Sequence, residues 1–220
     1  MKKVFISGSI DINKLDDLVI NSLDKIISQN IQVLVGDANG VDTLVQKYLA
    51  RQNYFNVIVY TIFEKPRNLL SNNFKIERID VENFFGRKAQ EKKDEAMTKN
   101  SDYSFVIWNG KSKGSFNNIL RAIENNKKLK VYYTKEKRFL EKEELKVENI
   151  KKIYYKYNGL GLKELAKQTN QSLSYIKEVL KHYPQFKIIN YYKGKRQVKY
   201  SIDFIDILNK QNSLFKKTTK

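Results

Sequence analysis

The stretch Val33-Leu34-Val35-Gly36-Asp37-Ala38-Asn39-Gly40-Val41-Asp42 decides how the first part of the chain is read. Three consecutive apolar residues end at a glycine, and the period then changes. Val41, Leu44, Val45, Tyr48 and Leu49 fall on one helical stripe. A strand apolar at every position is covered on both faces, as in a parallel sheet flanked by helices. The stretch therefore predicts a strand, a sharp turn rich in backbone N–H groups, and a helix.

The same unit recurs on either side. Val4-Phe5-Ile6 ends in Ser7-Gly8-Ser9 and precedes a helical stripe through Leu15, Leu18, Val19, Leu23, Ile26 and Ile27. Val57-Ile58-Val59-Tyr60 is a third strand. Phe105-Val106-Ile107-Trp108 is a fourth, followed by Asn109-Gly110 and a helix over about 115–124. Leu129 to Tyr133 is a fifth. Alternating strands and helices give an α/β fold, a Rossmann-like parallel sheet with helices on both faces, over residues 1–134. The segment 63–85 has a poor pattern and reads as a loop or lid. A charged helix over about 87–99 follows it.

Residues 135–147 are highly charged and read as a linker. From 148 to 220 the texture changes: three helical stripes precede Phe186 to Ile202, which alternates about a Lys193-Gly194-Lys195 turn, and a last helix follows. Three helices and a hairpin in this order describe a winged helix-turn-helix domain.

Bulk properties narrow the function. Cysteine is absent and His182 is the single histidine, so disulfides, thiolate nucleophiles and histidine-rich metal sites are excluded, and no metal is expected. No run of about 18 apolar residues is present and no secretory signal opens the chain, so a cytoplasmic protein without a membrane partner is expected. The formal charge of +18 attracts polyanions, nucleic acid first, although lysine- and asparagine-rich composition alone also produces it. Of that charge, +11 falls within 148–220, where sixteen Lys and Arg face five Asp and Glu.

Ligands of open α/β sheets bind beyond the carboxyl ends of the strands, where first-turn N–H groups are unpaired and the helix dipole favours an anion. Three turns meet that requirement: Ser7-Gly8-Ser9, Gly36 to Asp42, and Gly110 to Ser115. Their glycines, including Gly36, Gly40 and Gly114, permit close backbone approach, while Ser7, Ser9 and Ser115 offer hydroxyls and Lys113 a charge. Asp37 and Asp42 would repel phosphate and suit ribose hydroxyls, an amine or a loop amide. Arg87 is a candidate phosphate clamp, and Trp108 a candidate base stack or core aromatic. Asn39 completes the expected ligand set. A nucleotide or phosphorylated nucleoside-like molecule is the expected small-molecule partner, with no cofactor required.

These turns resemble those of the SLOG superfamily, which includes YpsA/YspA-like proteins, the DNA-processing protein DprA and the Lonely Guy (LOG) enzymes. Gly36-Asp37-Ala38-Asn39-Gly40-Val41-Asp42 is similar to its GxAxGxD element. Lys93-Asp94-Glu95-Ala96-Met97 is similar to its R/K-D/N-x-x-M element, and Trp108-Asn109-Gly110 through Gly114-Ser115 to its W-x-G-x-S-x-G-[ST] turn. The resemblance spans about residues 3–134. It implies a nucleotide-binding Rossmann-like domain and allows a homodimer.

LOG enzymes cleave an N-glycosidic bond with a glutamate in the turn before this helix. Here that turn continues Phe116-Asn117-Asn118-Ile119, without a carboxylate, and Glu124 lies too far along to substitute. An amide is neither base nor nucleophile at neutral pH. A nucleotide sensor coupled to a DNA-binding domain is therefore the first expectation. An N-glycosidic hydrolase or transferase, with Asp94 as a weak catalytic candidate, and a DprA-like single-stranded DNA-binding protein are the alternatives. In the second domain the recognition helix would present Ser172, Ser174, Tyr175, Lys177 and Lys181, and the wing Lys193, Lys195 and Arg196.

Overall fold

A computed structural model describes residues 1–192 and 195–215. The chain divides into two compact units, Met1–Val147 and Glu148–Lys220. In the first, β1 (Lys3–Gly8), α1 (Asp17–Ser28), β2 (Gln32–Val35), α2 (Val41–Arg51), β3 (Val57–Thr61), β4 (Lys75–Arg78), α3 (Gly86–Lys99), β5 (Tyr103–Trp108), α4 (Lys113–Glu124), β6 (Lys128–Tyr133) and β7 (Arg138–Phe139) follow one another. They build an α/β fold on one seven-stranded sheet of order β4-β3-β2-β1-β5-β6-β7, parallel except for β7.

Consecutive side chains of a strand point to opposite faces, and both faces are filled. Val4, Ile6, Val33, Val35, Val57 and Val59 pack with Val19, Leu23, Val45 and Leu49 of α1 and α2. On the other face Phe5, Leu34 and Tyr60 meet Met97 of α3. The helix-to-strand turns after α1, α2 and α4 each place an asparagine in the left-handed region: Asn30 (φ 48°), Asn53 (φ 54°) and Asn126 (φ 51°). Asparagine tolerates that conformation better than most side chains.

Two expectations are corrected. The segment 63–85 contains an edge strand, β4, whose four residues are all exposed, so no apolar run announced it. Residues 135–147 are not a free linker but part of the first unit. Phe139 sits opposite Tyr132, Leu140 is buried, and its N–H donates to the Val131 carbonyl. Arg138 forks onto both oxygens of Glu144 at 2.7 Å. The charged residues around Phe139 and Leu140 masked this apolar pair.

The second unit contains α5 (Val147–Asn158), α6 (Leu162–Thr169), α7 (Leu173–His182), a hairpin of β8 (Lys187–Tyr192) and β9 (Lys195–Tyr200), and α8 (Phe204–Phe215). Leu160, Leu165, Ile176, Phe204 and Leu208 form its core. Leu160, between α5 and α6, exchanges two backbone hydrogen bonds with Tyr200 and so ties that turn to the hairpin. Among the described residues, no helix is long and apolar enough to cross a membrane.

Candidate functional site

The strand order reverses between β1 and β5: β1 leads outward through β2 and β3, and β5 outward through β6. Loops leaving the carboxyl ends of these two strands diverge, and a crevice opens between them. A cleft of about 380 Å³ lies there, within the size range of small-molecule sites. All three expected loop tips reach it. The first contributes Ser7, Gly8 and Asp11, the second Ala38 and Asp42, and the third Lys113, Gly114 and Ser115.

The α3 helix closes the cleft with Arg87, Gln90, Glu91 and Asp94, a stripe at helical spacing, together with Lys93. Arg67, from the loop after β3, completes the lining. The wall is thus bipolar, with Arg67, Arg87, Lys93 and Lys113 against Asp11, Asp42, Glu91 and Asp94.

Asp37 organises this site without lining it. It is fully buried at the end of β2, and its Oδ1 accepts from Lys93 Nζ at 2.8 Å and from Arg67 Nη2 at 2.7 Å. Its Oδ2 accepts from Thr61 Oγ1 at 2.8 Å and from the Arg67 backbone N–H at 3.2 Å. Burial by itself would raise this carboxyl. The Arg67 hydrogen bond, the Lys93 charge and the bonds from Lys93 and Thr61 outweigh it and hold the group well below the usual carboxylate range.

Lys93, 2% exposed, also faces Asp42 and Asp94 electrostatically, so one buried ammonium serves three carboxylates. The deficit appears on the other two. Burial pushes Asp42 up to about 7; Lys93 and the Ala38 N–H, which donates to Oδ2 at 3.2 Å, oppose the rise, whereas Asp94 and Asp37 add to it. Asp94 is raised by burial too, against Lys93, Arg121 and a hydrogen bond from Asn118. Neither carboxylate is sealed, since both keep part of their surface open to the cleft. The acids therefore do not plug the space.

Ser7 is the telling residue. It is 5% exposed, lines the cleft, and its hydroxyl has no hydrogen-bond partner in the protein. A buried hydroxyl without a partner costs about 1–3 kcal/mol.

Six expected ligand residues fall elsewhere. Asp37 is sealed, as described. Ser9 is buried, accepts from the Asn109 N–H at 3.2 Å and meets Ser115 Oγ at 3.4 Å, clamping the first and third tips together. Gly36 packs under the second tip, where an added Cβ would stand 2.3 Å from Asp42 Oδ2. Asn39 is engaged by Asn68 at 3.1 Å. Gly40, at φ 75°, presses on the Ile10 backbone. Trp108 is fully buried, its indole N–H donating to the Ser112 carbonyl at 3.2 Å and its ring stacked near Phe116, so it is a core aromatic. Gly8 does line the cleft, but its missing Cβ makes room for Val41 and the Ile107 carbonyl, at 2.4 and 2.5 Å from where that atom would be.

Arg67 and Lys93 were missed as site residues. Lys93 was legible, because Ala89, Lys93 and Met97 share one buried stripe with i, i+4 spacing. Arg67 sits in the segment of poor pattern. Its signal was positional: the loop after a third parallel strand leaves the sheet on the same edge as the first two.

In the second unit Ser174, Lys177 and Lys181 are exposed on one side of α7, with Lys181 also paired to Glu178 at 2.7 Å. Ser172 caps α7, accepting from the Tyr175 N–H at 3.1 Å. Tyr175 packs against the small core and buries its hydroxyl, so it is not presented outward. Arg196 is exposed on β9. Lys195 begins that strand, and Lys193 lies outside the described residues. No protein-family model matches the chain, and neither does any curated protein.

Proposed function

We propose that the first unit binds a nucleotide or a closely related phosphorylated nucleoside in the cleft between β1 and β5, and that the second unit binds nucleic acid. The chain would then act as a ligand-responsive, nucleic-acid-associated factor. The observation that carries the first half is the unpartnered Ser7 hydroxyl at the topological switch point, in a cleft that Arg67, Arg87 and Lys113 also line. Cations suit a phosphate, while the protonatable Asp42 and Asp94 suit the hydroxyls of a sugar. The likeness of the loop motifs to those of the SLOG superfamily supports the same reading.

Calorimetry of a nucleoside series tests it. A nucleoside monophosphate is expected to bind about tenfold tighter than its parent nucleoside, a difference that Lys113→Met or Arg87→Met erases. Equal affinity for the two would remove phosphate recognition from the site.

For the second unit, the support is the exposed Ser174, Lys177, Lys181 and Arg196 and a helix order that fits a winged helix. Its affinity for duplex DNA is expected to fall linearly with the logarithm of salt concentration. A slope near zero would mean that few phosphates are contacted. One observation favours N-glycosidic cleavage as a second reading: Asp42, Glu91 and Asp94 line the same cleft, and burial pushes Asp42 up to about 7, where a carboxyl can donate a proton. Release of free base from a bound nucleotide would identify that activity.

A further inference from the structure

We infer that β4 is the contact between two copies of this chain, paired antiparallel about a two-fold axis at Ile76 so that one continuous sheet runs through both first units. β4 is the outermost strand on its side of the sheet, and Lys75, Ile76, Glu77 and Arg78 are all exposed. Its inner edge is fixed by β3, because the Ile79 N–H donates to the Thr61 carbonyl at 2.9 Å. Main-chain groups alternate sides along a strand, so residues 75, 77 and 79 face β3. Ile76 and Arg78 then present their N–H and C=O groups outward.

Those outward groups narrow the register, and charge decides among what remains, because an axis at Glu77 or at Arg78 would set like charges against each other. In an antiparallel pair, directly opposed residues exchange two hydrogen bonds only where both turn their main chain to the partner. Ile76 opposite Ile76 of a second copy satisfies that condition. Lys75 of each copy then falls opposite Glu77 of the other, at the non-hydrogen-bonded positions where side chains approach most closely. The segment Lys75-Ile76-Glu77 is thus its own complement in charge, and the contact is isologous and closes at two copies. Shifting the axis to lie between Ile76 and Glu77 would set Lys75 against Arg78, a like-charge pair, and leave Ile76 without its twin.

Beside the end of the strand lies a hollow of about 620 Å³ of mixed character, lined by Arg78, Asp80 and Glu82 as well as Ile79, Phe84 and Phe85, the last 82% exposed. Exposed charges on an edge strand often serve to prevent such pairing. Here their order makes the pairing attractive instead.

Sedimentation velocity on the full chain tests the arrangement. The unsubstituted protein is expected to be a dimer. In Lys75→Glu, carboxylates oppose each other at both pairs, and the dissociation constant is expected to rise about tenfold or more. Lys75→Glu combined with Glu77→Lys restores opposite charges and is expected to restore the dimer. Both positions are exposed, so a circular dichroism melt matching the unsubstituted protein checks that each variant folds. A monomeric unsubstituted protein, a dimer indifferent to Lys75→Glu, or a double variant that stays dissociated would each overturn the proposal.

Discussion

Replacing Asp37 with alanine is expected to lower the stability of the first unit by about 3 kcal/mol, a shift of about 6–12 °C in its melting temperature. The substitution removes little volume but strands the Lys93 ammonium, whose side chain is 3% exposed, without its 2.8 Å partner. Breaking a buried pair from one side typically costs about 3–5 kcal/mol. Asp42 and Asp94 still attract Lys93, which places the effect at the lower end. The Arg67 loop loses both its guanidinium anchor and its main-chain anchor, so affinity for a cleft ligand should fall along with stability.

The acid side follows by linkage. The folded-state value of Asp37 is depressed, so its contribution is present above its unfolded value, about 3.9, and is lost as pH falls through the folded value. Urea unfolding at pH 7 and pH 3 reads both effects. A melting temperature unchanged by Asp37→Ala at pH 7 would mean that Lys93 does not depend on this carboxylate.

Asp42→Asn is expected to act in the opposite direction. Burial holds this carboxyl near 7 in the folded chain, against about 3.9 when unfolded. Between those values the folded state holds a proton that the unfolded state has lost, so stability falls as pH rises from about 4 to about 7. Asparagine cannot ionise, and its amide oxygen can still accept the Ala38 N–H. The variant should match the unsubstituted protein at pH 4 and exceed it by about 4 kcal/mol at pH 8. Stability curves that stay parallel across that range would place the Asp42 proton elsewhere.

The core of the fold was readable because burial on both faces leaves nearly unbroken apolar runs, as at Val33-Leu34-Val35. β4 was not, because a strand paired on one edge and exposed in all four side chains carries no hydrophobic pattern. The three tips that meet at the cleft could be found from their place at strand ends. What sequence could not separate was the residue that faces the cleft from the one that holds it open. Asp37 and Asp42 stand five residues apart in one turn, yet the first is sealed by Arg67, Lys93 and Thr61 while the second meets the cleft. That division depends on side chains arriving from β3 and α3, distant in the chain.

The asparagines in left-handed turns bear on how such a protein can change over time. Asn30, Asn53, Asn126 and Asn170 hold positions that glycine often fills in other proteins, and only nine glycines are present in the whole chain. Codons for asparagine are rich in A and T, and those for glycine are rich in G. Drift towards A/T-rich coding can therefore remove glycines from helix ends without disturbing the backbone reversals that aim each following strand. By contrast, Gly8 and Gly40, pressed against Val41 and the Ile10 backbone, have no such substitute.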